Sequence, residues 1–287
     1  MKTRSAAAAA AIGMLSSITI VLCACSSERD AAIYNSTGYV QQNGGNIENL
    51  TSESESTNIN EPAESAVPTA PTPEAPPKFD DPDSYIIYDS STDTYYLTEE
   101  EEQLGKESLF VGDSICYGFS TWGVVDSKNV YATGSVGTRN LFDYEMYYLS
   151  KPAKFEYVLN EVKPKHIFFW MGMNDVNLIS SEEYCENYGK IIDTALENSS
   201  ADVYICAITP ISRLTFTNPA YIKEFNFAIR RYVKMNYRER VHIINFGEPL
   251  KNDLGILDEQ YNGGDGIHLS RKAYYVAMHE IAKQMKE

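Results

Sequence analysis

Five short runs in the chain are apolar without alternation: Leu109–Val111, Val130–Ala132, His166–Met171, Val203–Ile208 and Val241–Phe246. A strand with one wet face alternates apolar and polar residues, whereas a strand covered on both faces stays apolar throughout. Helical stretches lie between or after these runs. Phe142 to Leu159 has helical periodicity broken by Pro152, and Ser180 with Glu183 caps a helix running to about Asn198. Ala220 to Tyr237 and Ser270 to Lys286 read as two more helices. Upstream, Tyr85 to Leu97 reads as an extra strand or hairpin. Thr98 with Glu101 forms a capping box for a short helix that ends near Gly105. Alternation at this spacing predicts an α/β domain: a parallel five-stranded sheet with right-handed crossovers, in a three-layer sandwich.

That domain occupies residues 84–287, a comfortable size for one unit. Residues 1–25 read as an export signal, with Lys2 and Arg4 ahead of a mostly apolar stretch from Ala6 to Leu22. The stretch ends in Leu22-Cys-Ala-Cys25, which is similar to the lipobox of bacterial lipoproteins and implies lipidation at Cys25. A plain signal peptide or a membrane anchor is the alternative, but the apolar run is short and weak for a stable span. Residues 26–83 are rich in Ser, Thr, Asn, Glu and Ala and hold seven of the twelve prolines, so they read as a disordered tether. The expected location is the extracytoplasmic face of the cell membrane. A formal net charge of -16 argues against nucleic acid as a partner. A monomer is expected.

The chemistry is concentrated where strands end. Gly112-Asp-Ser114 follows the first run, Gly134-Ser-Val-Gly137 the second and Gly172-Met-Asn-Asp175 the third, while Asp265-Gly-Ile-His268 precedes the last helix. Ligands of such sheets bind beyond the carboxyl ends of the strands, so all four segments reach one rim. A serine hydroxyl is a poor nucleophile at neutral pH and needs a base, a carboxylate to orient the base, and donors for an oxyanion. Ser114, His268 and Asp265 supply the first three roles. The N–H of Ser114, the N–H of Gly134 and the side-chain amide of Asn174 supply the donors. Each residue also has a plainer use. Gly112-Asp-Ser114 is a capped strand-to-helix turn, Asn174 with Asp175 a cap for the next helix, Asp265 a turn residue and His268 a structural histidine. Cys116 is an alternative nucleophile, although it reads with Cys185 and Cys206 as a buried small hydrophobe.

No metal site is expected, because His166, His242, His268 and His279 are scattered without partners at ligand spacing. His166, His242 and His279 read as core or surface residues, and Asp113 and Asp175 as carboxylates bracing the site's loops. The 21 tyrosines, Tyr144, Tyr147 and Tyr148 among them, are either core packing or a platform for stacking sugars.

Taken together, Gly112-Asp-Ser-Ile115, Gly134-Ser-Val-Gly137, Gly172-Met-Asn-Asp175 and Asp265-Gly-Ile-His268 resemble, in order, the four blocks of the SGNH hydrolases, also called GDSL esterases and lipases. The resemblance spans roughly residues 107 to 286. It implies a flavodoxin-like sheet, Ser114 as nucleophile, His268 as base, Asp265 as its orienting carboxylate, and Ser114, Gly134 and Asn174 as oxyanion donors. Two positions depart from the pattern: Ile115 stands where leucine is usual, and Ala132 where an asparagine often precedes the glycine block. The implied activity is hydrolysis of O-acyl esters without a cofactor. For a domain outside the membrane the expected substrates are O-acetyl groups on carbohydrate. An O-acyltransferase using the same triad, or a non-catalytic glycan-binding lipoprotein, would keep the same residues.

Overall fold

The computed structural model describes residues 86–287 apart from Leu214. The expected export signal, Cys25 and the tether to residue 83 lie outside the described residues. An antiparallel hairpin of β1 (Ile87–Asp89) and β2 (Thr94–Tyr96) comes first. Next is α1 (Glu99–Glu107), whose Thr98 and Glu101 form the anticipated capping box and whose end lies two residues beyond Gly105. The sheet then begins with β3 (Ser108–Gly112), followed by α2 (Ser114–Thr121) and β4 (Val130–Ala132).

The next segment departs from expectation. The stretch read as one interrupted helix from Phe142 instead forms a small antiparallel hairpin, β5 (Tyr147–Tyr148) and β6 (Lys151–Pro152). Helix α3 is confined to Phe155–Val162. Pro152 has no N–H for a helix interior, and Leu149 and Ser150 turn the chain with φ of 48° and 65°, a left-handed conformation that ends any helix.

The remaining order is β7 (His166–Trp170), α4 (Ser181–Asn198), β8 (Asp202–Cys206), α5 (Pro219–Asn236), β9 (Val241–Ile244) and α6 (Arg271–Gln284). All five strands of the main sheet run parallel in the order β4-β3-β7-β8-β9. Counted along the chain this is the doubly wound order 2-1-3-4-5, with its switch point between β3 and β7.

Side chains alternate between two apolar layers, as a sheet covered on both faces requires. Leu109, Val111, Ile167, Phe169, Val203 and Ile205 pack with α3, α4 and α5 on one face. Phe110, Phe168, Trp170, Tyr204 and Cys206 pack with α2 and α6 on the other. Cys116, Cys185 and Cys206 are all free and buried, as their sequence context suggested.

Candidate active site

Ser114 is the first residue of α2, at the carboxyl end of β3 and beside the switch point. Its backbone is held there by close approach. A Cβ on Gly112 would stand 1.9 Å from the Trp170 carbonyl oxygen, so β3 and β7 can meet at this height only through glycine. Asp113 caps α2, its Oδ1 accepting from the Ile115 N–H at 2.9 Å. The first N–H groups of a helix have no acceptor within it, so the Ser114 N–H makes no bond inside α2. Burial pushes the fully enclosed Asp113 carboxyl up to about 7, against the lowering effect of the Ile115 and Cys116 N–H groups.

His268 arrives from the loop before α6. That helix lies tightly against α2: the Tyr274 hydroxyl donates to the Ile115 carbonyl at 2.7 Å, and a Cβ on Gly118 would fall 1.9 Å from the same hydroxyl. The helix that follows His268 is thereby locked to the helix that starts with Ser114. His268 Nε2 stands 2.9 Å from Ser114 Oγ, and His268 Nδ1 stands 2.6 Å from Asp265 Oδ2. Asp265 has a second task. Its Oδ1 accepts from the Ile267 N–H at 2.9 Å and the His268 N–H at 2.8 Å, so the carboxylate closes its own turn while orienting the ring. The turn-residue and catalytic-carboxylate readings of Asp265 are therefore compatible. Partial burial alone would raise this carboxyl, but the His268 ring and the two N–H donors outweigh it and hold it below the ordinary aspartate value.

Asn174 follows β7, and its Nδ2 donates to the Val136 carbonyl at 2.9 Å, joining the third block to the second. An amide nitrogen carries two hydrogens, so one remains for a ligand. Gly134 opens into a cleft: a Cβ there would meet nothing within 4 Å. The cleft, of about 450 Å³, is lined by Ser114 and Gly134 and runs between α2, β4 and the β5–β6 hairpin.

Asp113 and Asp175, expected to brace loops, do so. Asp175 is wholly buried and accepts from the Thr138 N–H at 2.7 Å, the Thr138 hydroxyl at 3.0 Å and Arg139 Nη1 at 2.8 Å. Cys116 is fully buried, and burial drives its thiol well above the usual value, followed by the charge of Asp113, so it has neither the access nor the thiolate a nucleophile needs. Among the described residues no three His, Cys, Asp or Glu side chains gather as a metal site.

Arg139, on Asp175, and Tyr117, Ser120 and Ser150, in the cleft, are brought to the site by the fold and lie outside the four sequence blocks. The helical i, i+3 spacing from Ser114 to Tyr117 was the available signal for the tyrosine. The three tyrosines held open between packing and sugar contact divide. Tyr144 packs against the core, Tyr148 donates to the Lys128 carbonyl at 2.8 Å, and Tyr147 lines the cleft.

The model of the GDSL-like lipase/acylhydrolase family matches residues 110–276, which contain all four blocks. This chain belongs to that family. It is accordingly a carboxylic ester hydrolase of the GDSL type. No curated protein matches it. Among solved structures it is similar to a GDSL-like lipase from Bacteroides thetaiotaomicron, with 18% identity and a TM-score of 0.51 over 64% of this chain and 89% of that one. It is similar also to a candidate acylhydrolase from Bacteroides fragilis, with 16% identity and a TM-score of 0.51 over 63% and 86% of the two chains. A carbohydrate esterase family 3 protein from Talaromyces cellulolyticus shares 15% identity at a TM-score of 0.45, over 62% and 95%. At these identities the likeness to the two Bacteroides proteins shows the fold alone.

Proposed function

We propose that this GDSL-family chain is a membrane-tethered serine esterase that removes O-acyl groups, O-acetyl above all, from carbohydrate. The observation that carries the reading is the unbroken relay from Asp265 Oδ2 through His268 to Ser114 Oγ, at 2.6 and 2.9 Å. Ser114 Oγ attacks the ester carbonyl carbon while its proton passes to His268 Nε2. Asp265 holds the ring in the tautomer that leaves Nε2 free to accept and stabilises the imidazolium that forms. The negative charge on the former carbonyl oxygen meets the N–H of Ser114, the N–H of Gly134 and the free hydrogen of Asn174 Nδ2, each contributing on the order of 3 kcal/mol to lowering the barrier. Collapse of the intermediate expels the alcohol, which takes the proton from His268. Water then repeats the sequence on the acyl-enzyme and releases the acid.

The export signal and Cys25 support an extracytoplasmic location, where acylated wall, capsular or environmental polysaccharides are within reach of a tether of this length. The test is release of p-nitrophenol from acetyl, butyryl and octanoyl esters, beside Ser114→Ala. The expected result is a preference for acetate and a loss in kcat of at least about a thousandfold in the variant. Equal turnover by wild type and variant overturns the assignment of Ser114.

A further inference from the structure

The cleft that leads away from Ser114 differs in character from an acyl-chain pocket. Along one wall, Ser114, Tyr117 and Ser120 stack at i, i+3 and i+6 on a single face of α2, a run of about 9 Å at the helical rise. The other walls bring Ser127, Thr133 and Ser150. Val130, Ala132 and Leu149 complete the lining, and among the described residues no charged side chain lines it. Two tyrosines stand over it from separate elements, Tyr117 on α2 and Tyr147 on β5, each 53% exposed, whereas Ile115, Cys116, Gly118 and Phe119 of α2 are buried. The Tyr147 hydroxyl donates to Glu145 Oε1 at 2.5 Å on the exposed side of the hairpin, which leaves the ring itself as the surface offered to a ligand.

A methylene chain in such a cleft would strip water from a row of hydroxyls and give nothing back to them. A pyranose ring satisfies both kinds of surface: its hydroxyls pair with Ser, Thr and Tyr, and its axial C–H face lies on an aromatic ring. Tyrosine suits the task because it offers a large rigid face at the cost of two torsions. The absence of lysine or arginine from the walls selects against uronic or phosphorylated sugars, whose charge would enter the cleft unpaired.

We propose that the cleft of Tyr117, Tyr147 and the hydroxyls of Ser120, Ser127, Thr133 and Ser150 is a subsite for an uncharged pyranose oligosaccharide, with the two tyrosines as its stacking platforms. The proposal deepens the carbohydrate-esterase reading and rests on it for the placement of the ester at Ser114. The binding part can be measured without turnover.

The experiment has two arms, both on the full chain. In the first, xylotetraose, cellotetraose and chitotetraose are titrated calorimetrically into Ser114→Ala and into the same protein carrying Tyr117→Ala, Tyr147→Ala or Tyr147→Phe. At least one sugar is expected to bind, with affinity lost about tenfold or more in each alanine variant and largely kept in Tyr147→Phe, which retains the ring. In the second, kcat/KM is compared between acetylated forms of the bound sugar and p-nitrophenyl acetate. The ratio is expected to fall about tenfold in the alanine variants, through KM on the sugar. Lack of binding by all three sugars overturns the subsite whatever the esterase assays give. Sugar binding without turnover of any ester upholds the subsite and removes the esterase reading. If the alanine variants instead change the preference between acetyl and octanoyl esters while sugar binding is untouched, the cleft holds the acyl chain and the proposal is wrong.

Discussion

Arg139 and Asp175 form an ion pair of 2.8 Å in which the carboxylate is wholly buried and the guanidinium about a quarter exposed. The pair lies between two loops that are 36 residues apart in sequence. Arg139 Nη1 also donates to the Asn174 carbonyl at 2.9 Å, so one guanidinium holds both the backbone of the amide donor and the carboxylate behind it. The loop that carries Gly134 and the loop that carries Asn174 are thus fixed relative to one another before substrate arrives.

Truncating Asp175 takes the acceptor from the buried Thr138 N–H and hydroxyl and leaves Arg139, about a quarter exposed, with the Asn174 carbonyl. Asp175→Ala is expected to lose about 2–3 kcal/mol in urea unfolding, as buried donors left without an acceptor do. In protein that remains folded, kcat for p-nitrophenyl acetate should fall by about one to two orders of magnitude, because a displaced Asn174 misplaces an oxyanion donor. Unchanged kcat in well-folded Asp175→Ala would show that the pair has no part in positioning the donors.

Gly112 and Gly134, which begin two of the blocks, should answer differently to the same substitution. Gly112→Ala places a methyl 1.9 Å from a backbone oxygen and 2.6 Å from the Cys116 Cβ, neither of which can step aside without parting β3 from β7. A loss of about 3 kcal/mol or more is expected, at the upper end of overpacking effects. At Gly134 the same methyl enters open space and needs no left-handed backbone, so the thermal midpoint should stay close to that of wild type. Calorimetric melts of the two variants check both statements.

The sheet was legible in the sequence because burial on both faces leaves an unmistakable pattern: His166–Trp170 begins where its apolar run begins, and Asp202–Cys206 begins one residue ahead of its own. Capping was legible for the same local reason, with the Thr98 and Ser180 hydroxyls accepting from the N–H groups of Glu101 and Glu183. The meeting of the four blocks could be read because each sits directly after a strand or before a helix, and topology does the rest. The β5–β6 hairpin could not, since its turn residues are Leu149 and Ser150, and neither glycine nor asparagine marks the positive φ. Nor could the Arg139–Asp175 pair, which depends on the spacing of two loops in space.

Asp265 can be tested apart from its turn. Asp265→Asn keeps an oxygen for the Ile267 and His268 N–H groups, so the loop should hold its shape and the melting temperature should move little. The amide cannot orient and stabilise the imidazolium as the carboxylate does, and kcat is expected to fall about 10³–10⁴-fold. A small loss, under about tenfold, in correctly folded protein would return Asp265 to the role of a turn residue.

Asp113 gives the fold a pH dependence of identifiable sign. Its carboxyl is raised by burial to about 7, whereas in the unfolded chain it titrates in the ordinary aspartate range. Between those values the folded state holds a proton that the unfolded state has released, so stability falls as pH rises through that window and levels off above it. Asp113→Asn removes the ionisation while keeping a side-chain oxygen to cap the Ile115 N–H, and asparagine caps helices as well as aspartate does. The variant should therefore lack this contribution to the slope. Its urea midpoint should exceed that of wild type most clearly at about pH 8, and the two should converge towards about pH 4. Parallel midpoint curves for the two proteins across that range would mean that Asp113 is ionised in the folded state at all of these pH values.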